Sequence, residues 1–194
     1  MTNAWTLLEG DALPRASSFA SLSAFARLGL DADLDIEAAS LEKNYIDLSK
    51  RLHPDFHTSK GPREMTRAIA LTASLNQAYG ILKDPVQRSE HLLKELGGPG
   101  PADDKRTPGN FLMDMLELRE AYEEHREAND LEAIQRMLSE LEPQRSKAMD
   151  TIHARFTERK NGSELDVSSI REQLNTLKYY DNLIQELKEA LGSD

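Results

Sequence analysis

Five histidines, at positions 53, 57, 91, 125 and 153, are the first places to look for acid–base or metal chemistry in this chain. Only two are close together, in the stretch RLHPDFHTSKGP, Arg51 to Pro62. His53 and His57 have the i, i+4 spacing of a helical metal pair. Pro54 between them denies the helical geometry that would bring both rings to one ion, so no metal is expected. There is no cysteine, which excludes a thiol nucleophile, thiolate-bound zinc and directly thiolate-ligated iron–sulfur clusters. The sequence GGPGP places prolines where a phosphate-binding loop needs N–H donors, and there is no nucleophile elbow. No catalytic residue and no cofactor are expected, and the chain reads as a protein without enzymatic activity.

What remains is His53-Pro54-Asp55 as a polar tip. Pro54 fixes φ and removes a donor, leaving its neighbours few conformations to lose. Lys43 and Lys50 are seven apart and share one helix face, with Arg51 beside them. A cationic helix leading to a stiff polar tip suits docking on an acidic protein surface. On the tripeptide alone the plainer reading, a turn marked by proline and aspartate, stays open.

The flanking segments carry helical periodicity. Residues 1–17 show no sustained period, contain Pro14 and read as an extension tethered by Trp5 and Leu8. Phe19, Leu22, Phe25 and Leu28 predict one short helix stopped at Gly29. Asp35 is a candidate N-cap for a helix whose apolar stripe is Leu41, Tyr45, Leu48 and Leu52, ended by Pro54. Met65, Ala68, Thr72, Leu75, Tyr79 and Leu82 repeat that spacing up to Pro85, and VQRSEHLLKELGG adds a further short helix. These segments make a helical hairpin with the polar tip at its turn.

Residues 97–110, GGPGPADDKRTPGN, have the composition of a linker or an ordered connection. Beyond it, three amphipathic segments predict an antiparallel three-helix bundle. One starts at the Asn110 cap with Phe111, Met115, Leu118 and Tyr122 as its core stripe. The second carries Leu131, Ile134, Leu138, Leu141, Ala148 and Ile152, with Pro143 set to kink or split it. The third carries Ile170, Leu174, Leu177, Ile184 and Leu191. The fold class is all-α, divided as 1–17 extension, 18–96 hairpin domain, 97–110 linker and 111–194 bundle.

Charge separates the halves. Residues 1–96 hold 13 acidic and 11 basic side chains, whereas residues 111–194 hold 19 and 11. The chain's net charge of −10 argues against general nucleic-acid binding. On the first bundle helix, Leu112, Met113 and Leu116 share an arc with Glu117, Glu120 and Glu124, away from the core stripe. Apolar anchors with a charged rim suit a protein interface, although Leu112 and Leu116 could instead pack on a neighbouring helix. Tyr179 lies about 180° from Ile170 on the last helix. No apolar run nears the roughly twenty residues of a spanning helix and no secretory signal is visible, so a cytoplasmic protein without membrane contact is expected.

The tripeptide followed by LNQAYGILKDPVQR resembles the J-domain of DnaJ-like co-chaperones. Asn76, Ala78, Tyr79, Leu82, Asp84, Pro85 and Arg88 match that family's N-x-A-Y-x-x-L-x-D-P-x-x-R pattern. By this resemblance His53, Pro54 and Asp55 form the essential tip that engages a DnaK-type chaperone and accelerates its ATP hydrolysis, with Lys43, Lys50 and Arg51 as electrostatic contacts. Many J-domains place a basic residue after the tripeptide, whereas here Phe56 follows. The whole arrangement, with FLMDMLELRE opening the bundle, resembles the HscB family of iron–sulfur cluster co-chaperones over about residues 20–191, and in that family Phe also occurs after the tripeptide. The resemblance implies two partners, an HscA-like ATPase and the cluster scaffold protein IscU, the latter docking on Leu112, Met113, Leu116, Glu117, Glu120, Glu124 and Tyr179. Some relatives, chiefly eukaryotic, bind zinc through an N-terminal cysteine motif that this chain lacks. A general J-domain protein whose bundle binds other clients or dimerises is the alternative.

Overall fold

The computed structural model describes residues 2–9 and 12–192. Helices make up the secondary structure, with no strand among the described residues, and none of those helices is long and apolar enough to cross a membrane. The chain divides into two compact units, Met1–Glu95 and Leu96–Asp194.

The first unit contains α1 (Ala4–Leu7), α2 (Ala16–Ala20), α3 (Ala24–Arg27), α4 (Ala38–Leu52), a 3-10 segment Pro54–Lys60, α5 (Pro62–Lys83) and α6 (Pro85–Glu95). Its core is the seam where Leu41, Leu48 and Leu52 of α4 meet Ala68, Leu71, Leu75, Ala78 and Leu82 of α5, joined by Phe19, Phe25, Leu28, Leu34, Leu92 and Leu93. Each fully buried leucine or phenylalanine contributes roughly 1.5–3 kcal/mol. Tyr45 and Tyr79 stand at the rim of the seam, stacked at 4.1 Å between centroids. The Tyr45 hydroxyl donates to Asn76 Oδ1 at 3.1 Å. The Tyr79 hydroxyl donates to the Glu42 carboxylate, which holds the phenol proton in place and pushes its pKa up.

Four expectations for this unit change. The single helix expected around Phe19 to Leu28 is two, because serine hydroxyls compete with the helical ladder there. Ser21 Oγ donates to the Ser18 carbonyl (2.8 Å) and Ser23 Oγ accepts from Ala26 N–H (3.1 Å). Asp35 does not cap α4: its own N–H donates to Asp33 Oδ1 at 3.0 Å, and Glu37 holds the N-cap position. Met65 is 41% exposed, while Leu71 and Ala78 take core positions. The extension is not aperiodic: Asn3 Oδ1 caps α1 at Thr6 N–H (3.1 Å), and Ala4, Leu8 and Leu13 are buried. Gly10 and Asp11 of that extension lie outside the described residues.

The second unit contains α7 (Phe111–Glu127), α8 (Leu131–Lys160) and α9 (Val167–Ala190). Short connections make successive helices antiparallel. α9 is enclosed on most sides, burying Ile170, Leu174, Leu177, Tyr180, Leu183, Ile184 and Leu187. α8 is neither split nor ended at Pro143 but runs through it as one helix. Leu131 is not core but 47% exposed, lining an open cleft with Tyr122, Arg126 and Glu186. Leu118 and Leu191 are half-buried.

Residues 97–110 belong to this second unit, and hydrogen bonding explains how a Gly- and Pro-rich stretch is held. The Asn175 amide donates to the carbonyls of Asp104 (3.0 Å) and Arg106 (2.8 Å), while its Oδ1 accepts from the buried Arg171 Nε at 3.0 Å. Arg106 Nη2 approaches Asp104 Oδ2 at 2.6 Å, and its hydrogen bonds bring the Asp104 carboxyl down to about 2.

Candidate functional site

The turn between α4 and α5 is built so that its backbone has little freedom. Pro54 ends α4, and a stopped helix leaves its last carbonyls without ladder partners. Here two side chains and one backbone N–H replace them. The Arg51 carbonyl lies 3.0 Å from His57 Nε2, which as donor fixes the ring as the Nε2–H tautomer. The Leu52 carbonyl accepts from Thr72 Oγ1 of α5 at 3.1 Å, and the His53 carbonyl accepts from Phe56 N–H at 3.1 Å. His53 Nδ1 takes the Asp55 N–H at 3.3 Å.

These bonds turn His57 inward, where it is buried, and turn His53 and Asp55 outward, their side chains 51% and 82% exposed. The two imidazoles thus serve opposite purposes, one holding the turn and one displayed on it. Among the described residues no cluster of His, Asp or Glu could hold a metal. Phe56 is 68% exposed and meets the His53 ring edge-on at 6.2 Å. Lys43, Lys50 and Arg51 are all exposed on α4. Ile46, between the lysines in sequence, is 41% exposed and supplies an apolar centre that the sequence reading missed.

In the second unit, Leu112, Met113 and Leu116 are 52%, 61% and 52% exposed, so Leu112 and Leu116 do not pack into the bundle. Glu117, Glu120 and Glu124 are exposed on the same helix. An arc of large apolar side chains edged by carboxylates is a surface with an unmet hydrophobic demand. Tyr179 is 39% exposed, its ring edge against Phe111 at 5.7 Å. Phe111, assigned from the sequence to the core alone, therefore also carries the tyrosine at the start of the α7 patch. Beside Tyr179 an open cleft of about 370 Å³ is lined by Pro101, Lys105, Asn175, Lys178 and Asn182.

A helical hairpin displaying His-Pro-Asp at its turn, joined to a three-helix bundle, defines a J-domain co-chaperone. The family model described as the HSCB C-terminal oligomerisation domain matches residues 107–188. A co-chaperone protein HscB homolog from Shewanella sp. (strain ANA-3) is 31% identical over 156 residues, 79% of this chain and 87% of that protein. A homolog from Colwellia psychrerythraea is 29% identical over 178 residues, 88% of this chain and 98% of that protein. The fold matches chaperone HscB from Vibrio cholerae with a TM-score of 0.72 at 24% identity, covering 87% of this chain and 96% of that one. It matches human co-chaperone protein HscB with a TM-score of 0.77 at 22% identity, covering 92% and 85%. The chain belongs to the HscB family of co-chaperones.

Proposed function

We propose that this co-chaperone of the iron–sulfur cluster assembly system acts as a cytoplasmic adaptor without chemistry of its own. It carries an IscU-like scaffold protein to a DnaK-type, HscA-like chaperone and stimulates that chaperone's ATPase. In this reading residues 18–96 are the J-domain that meets the ATPase through His53, Pro54 and Asp55 and the basic residues Lys43, Lys50 and Arg51. Residues 111–194 are the domain that binds the scaffold through Leu112, Met113, Leu116 and Tyr179, with Glu117, Glu120 and Glu124 steering encounter with a basic partner.

The observation that carries the proposal is the presence on one chain of two outward-facing surfaces of opposite chemistry. One is a polar tip on a pinned turn; the other is an apolar arc with an acidic rim. Joining the two binding events on one chain raises the concentration of scaffold at the ATPase. Favouring one conformational state of the ATPase accelerates hydrolysis, which traps the scaffold and promotes cluster transfer.

A steady-state ATPase assay with the HscA-like chaperone tests this, adding the co-chaperone and IscU separately and together. Stimulation by the pair beyond the combined separate effects is expected; purely additive stimulation would count against the adaptor. The description of the matched domain as an oligomerisation domain favours a second reading, self-association through the bundle. Sedimentation that finds a dimer dispersed by Met113→Ala with Leu116→Ala would reassign the arc to that contact.

A further inference from the structure

Nothing in the adaptor reading uses the N-terminal extension, yet its first helix makes a specific contact with the basic face. Ala4 and Leu8 bury α1 in the first unit at 0% and 7% exposure. Trp5 then lies over Gly29. A Cβ at Gly29 would stand 2.1 Å from Trp5 Nε1 and 2.3 Å from Cδ1, and Gly29 has φ +64°. Space and backbone conformation both reserve that position for glycine. The indole so fixed has Arg51 Cζ 5.4 Å from its ring centroid, within the roughly 6 Å range of cation–π attraction.

Arg51 is therefore held at two points. His57 holds its carbonyl (3.0 Å), and Trp5 faces its guanidinium. An unrestrained arginine loses rotamer entropy when it docks. Ordering the side chain beforehand removes part of that cost. Lys43 and Lys50, on the adjoining face of the same helix, have no such aromatic platform among the ring contacts of the described residues.

We infer that Trp5 is a positioning residue for Arg51: the extension orders the guanidinium at the foot of the His-Pro-Asp turn for contact with an acidic surface of the ATPase chaperone. This inference rests on the adaptor reading for its partner, and on geometry alone for the hold of Trp5 on Arg51.

Two measurements on the full chain test it. In the ATPase titration, Trp5→Leu raises the concentration for half-maximal stimulation roughly two- to fivefold, the size of an exposed cation–π contact, while leaving the plateau unchanged. Trp5→Phe, which keeps an aromatic face, restores most of the affinity, and Trp5→Leu has no further effect in an Arg51→Ala background. By NMR, the Arg51 Nε–Hε signal of the wild-type protein shows a ring-current shift and restricted nanosecond motion, both lost in Trp5→Leu while the amide spectrum of the hairpin persists. An equal loss from Trp5→Leu in the Arg51→Ala background overturns the inference, because Trp5 would then act independently of Arg51. So does a mobile, unshifted Arg51 signal in the wild type. Failure of the wild-type protein to stimulate the ATPase removes the adaptor reading and the proposed partner of Arg51, whereas the NMR result still decides whether Trp5 orders it.

Discussion

The His-Pro-Asp turn and the α7 arc expose side chains to a similar degree but support them differently. At the turn, the carbonyls of Arg51, Leu52 and His53 are each answered by a named donor, so the displayed residues stand on a backbone with few alternatives. On α7, Leu112, Met113 and Leu116 project from a regular helix and offer area rather than a fixed arrangement of polar atoms. A surface of the first kind recognises by geometry and tolerates little change. One of the second kind recognises by desolvation, and its losses should scale with the apolar area removed.

The largest expected effect belongs to the turn. In His53→Gln the ring that accepts the Asp55 N–H and faces Phe56 is gone, although a polar side chain of similar reach remains. Stimulation of the HscA-like ATPase should fall to the chaperone's unstimulated rate, a hot-spot loss of at least about 2 kcal/mol or roughly thirtyfold in affinity. Scaffold binding, measured by calorimetry, should be unchanged. Met113→Ala combined with Leu116→Ala should do the reverse. Scaffold affinity should drop roughly five- to thirtyfold, at about 0.5–1 kcal/mol per truncated, already half-covered side chain, while stimulation without scaffold is retained. If either variant impaired both activities equally, the two surfaces would not be separable.

How much of this could be read beforehand depended on the range of the forces involved. The apolar seam of α4 and α5 follows from periodicity, because leucine spacing at i, i+4, i+7 leaves one buried stripe. The matched J-domain pattern is explained by what its residues hold together. Asn76 and Tyr79 join α5 to α4, Asp84 Oδ1 caps α6 at Gln87 N–H (2.8 Å), and Arg88 binds the carbonyls of Leu82 (2.8 Å) and Leu34 (2.7 Å). The angular position of Leu112, Met113 and Leu116 already set them off the core stripe, but whether a neighbouring helix covered them is a tertiary matter. Contacts far apart in sequence left no pattern: Arg51 on Trp5, and Asn175 on the linker carbonyls. At Pro143, the helical context of α8 overrides the local signal for a break.

Each unit also has a polar side chain that pins a neighbouring stretch of backbone, a linker in one and a helix start in the other, which extends the comparison from surfaces to stability. In the second unit Asn175, 9% exposed, serves two linker carbonyls and Arg171. Asn175→Ala leaves these groups without their amide partner and should destabilise that unit by roughly 1–3 kcal/mol, read from urea unfolding. Hydrogen exchange should quicken first in residues 97–110. Exchange that stayed unchanged there would mean the linker is held by something other than this amide.

The counterpart in the first unit is titratable, so its smaller contribution can be switched without mutation. His91 Nε2 accepts the Ala24 N–H at 2.9 Å, which requires that nitrogen to be unprotonated. Burial pushes its pKa below the ordinary histidine value of 6.5; Glu95, 3.0 Å away, opposes that shift, and the charges of Arg27 and Lys94 add to it. The folded state therefore binds fewer protons at this ring than the unfolded chain does. The stability it contributes is complete above about pH 6.5 and declines as pH falls through the lowered folded value. Protonation turns Nε2 into a donor, ends the bond to Ala24 and favours Glu95 instead. The loss is that of one neutral hydrogen bond, roughly 0.5–1.5 kcal/mol. Unfolding followed between pH 7.5 and pH 5 should show this decline in the wild type and a shallower one in His91→Gln, whose amide oxygen can accept from Ala24 at either pH. Parallel profiles for the two proteins would show that the ring's protonation is not what weakens the hairpin unit in acid.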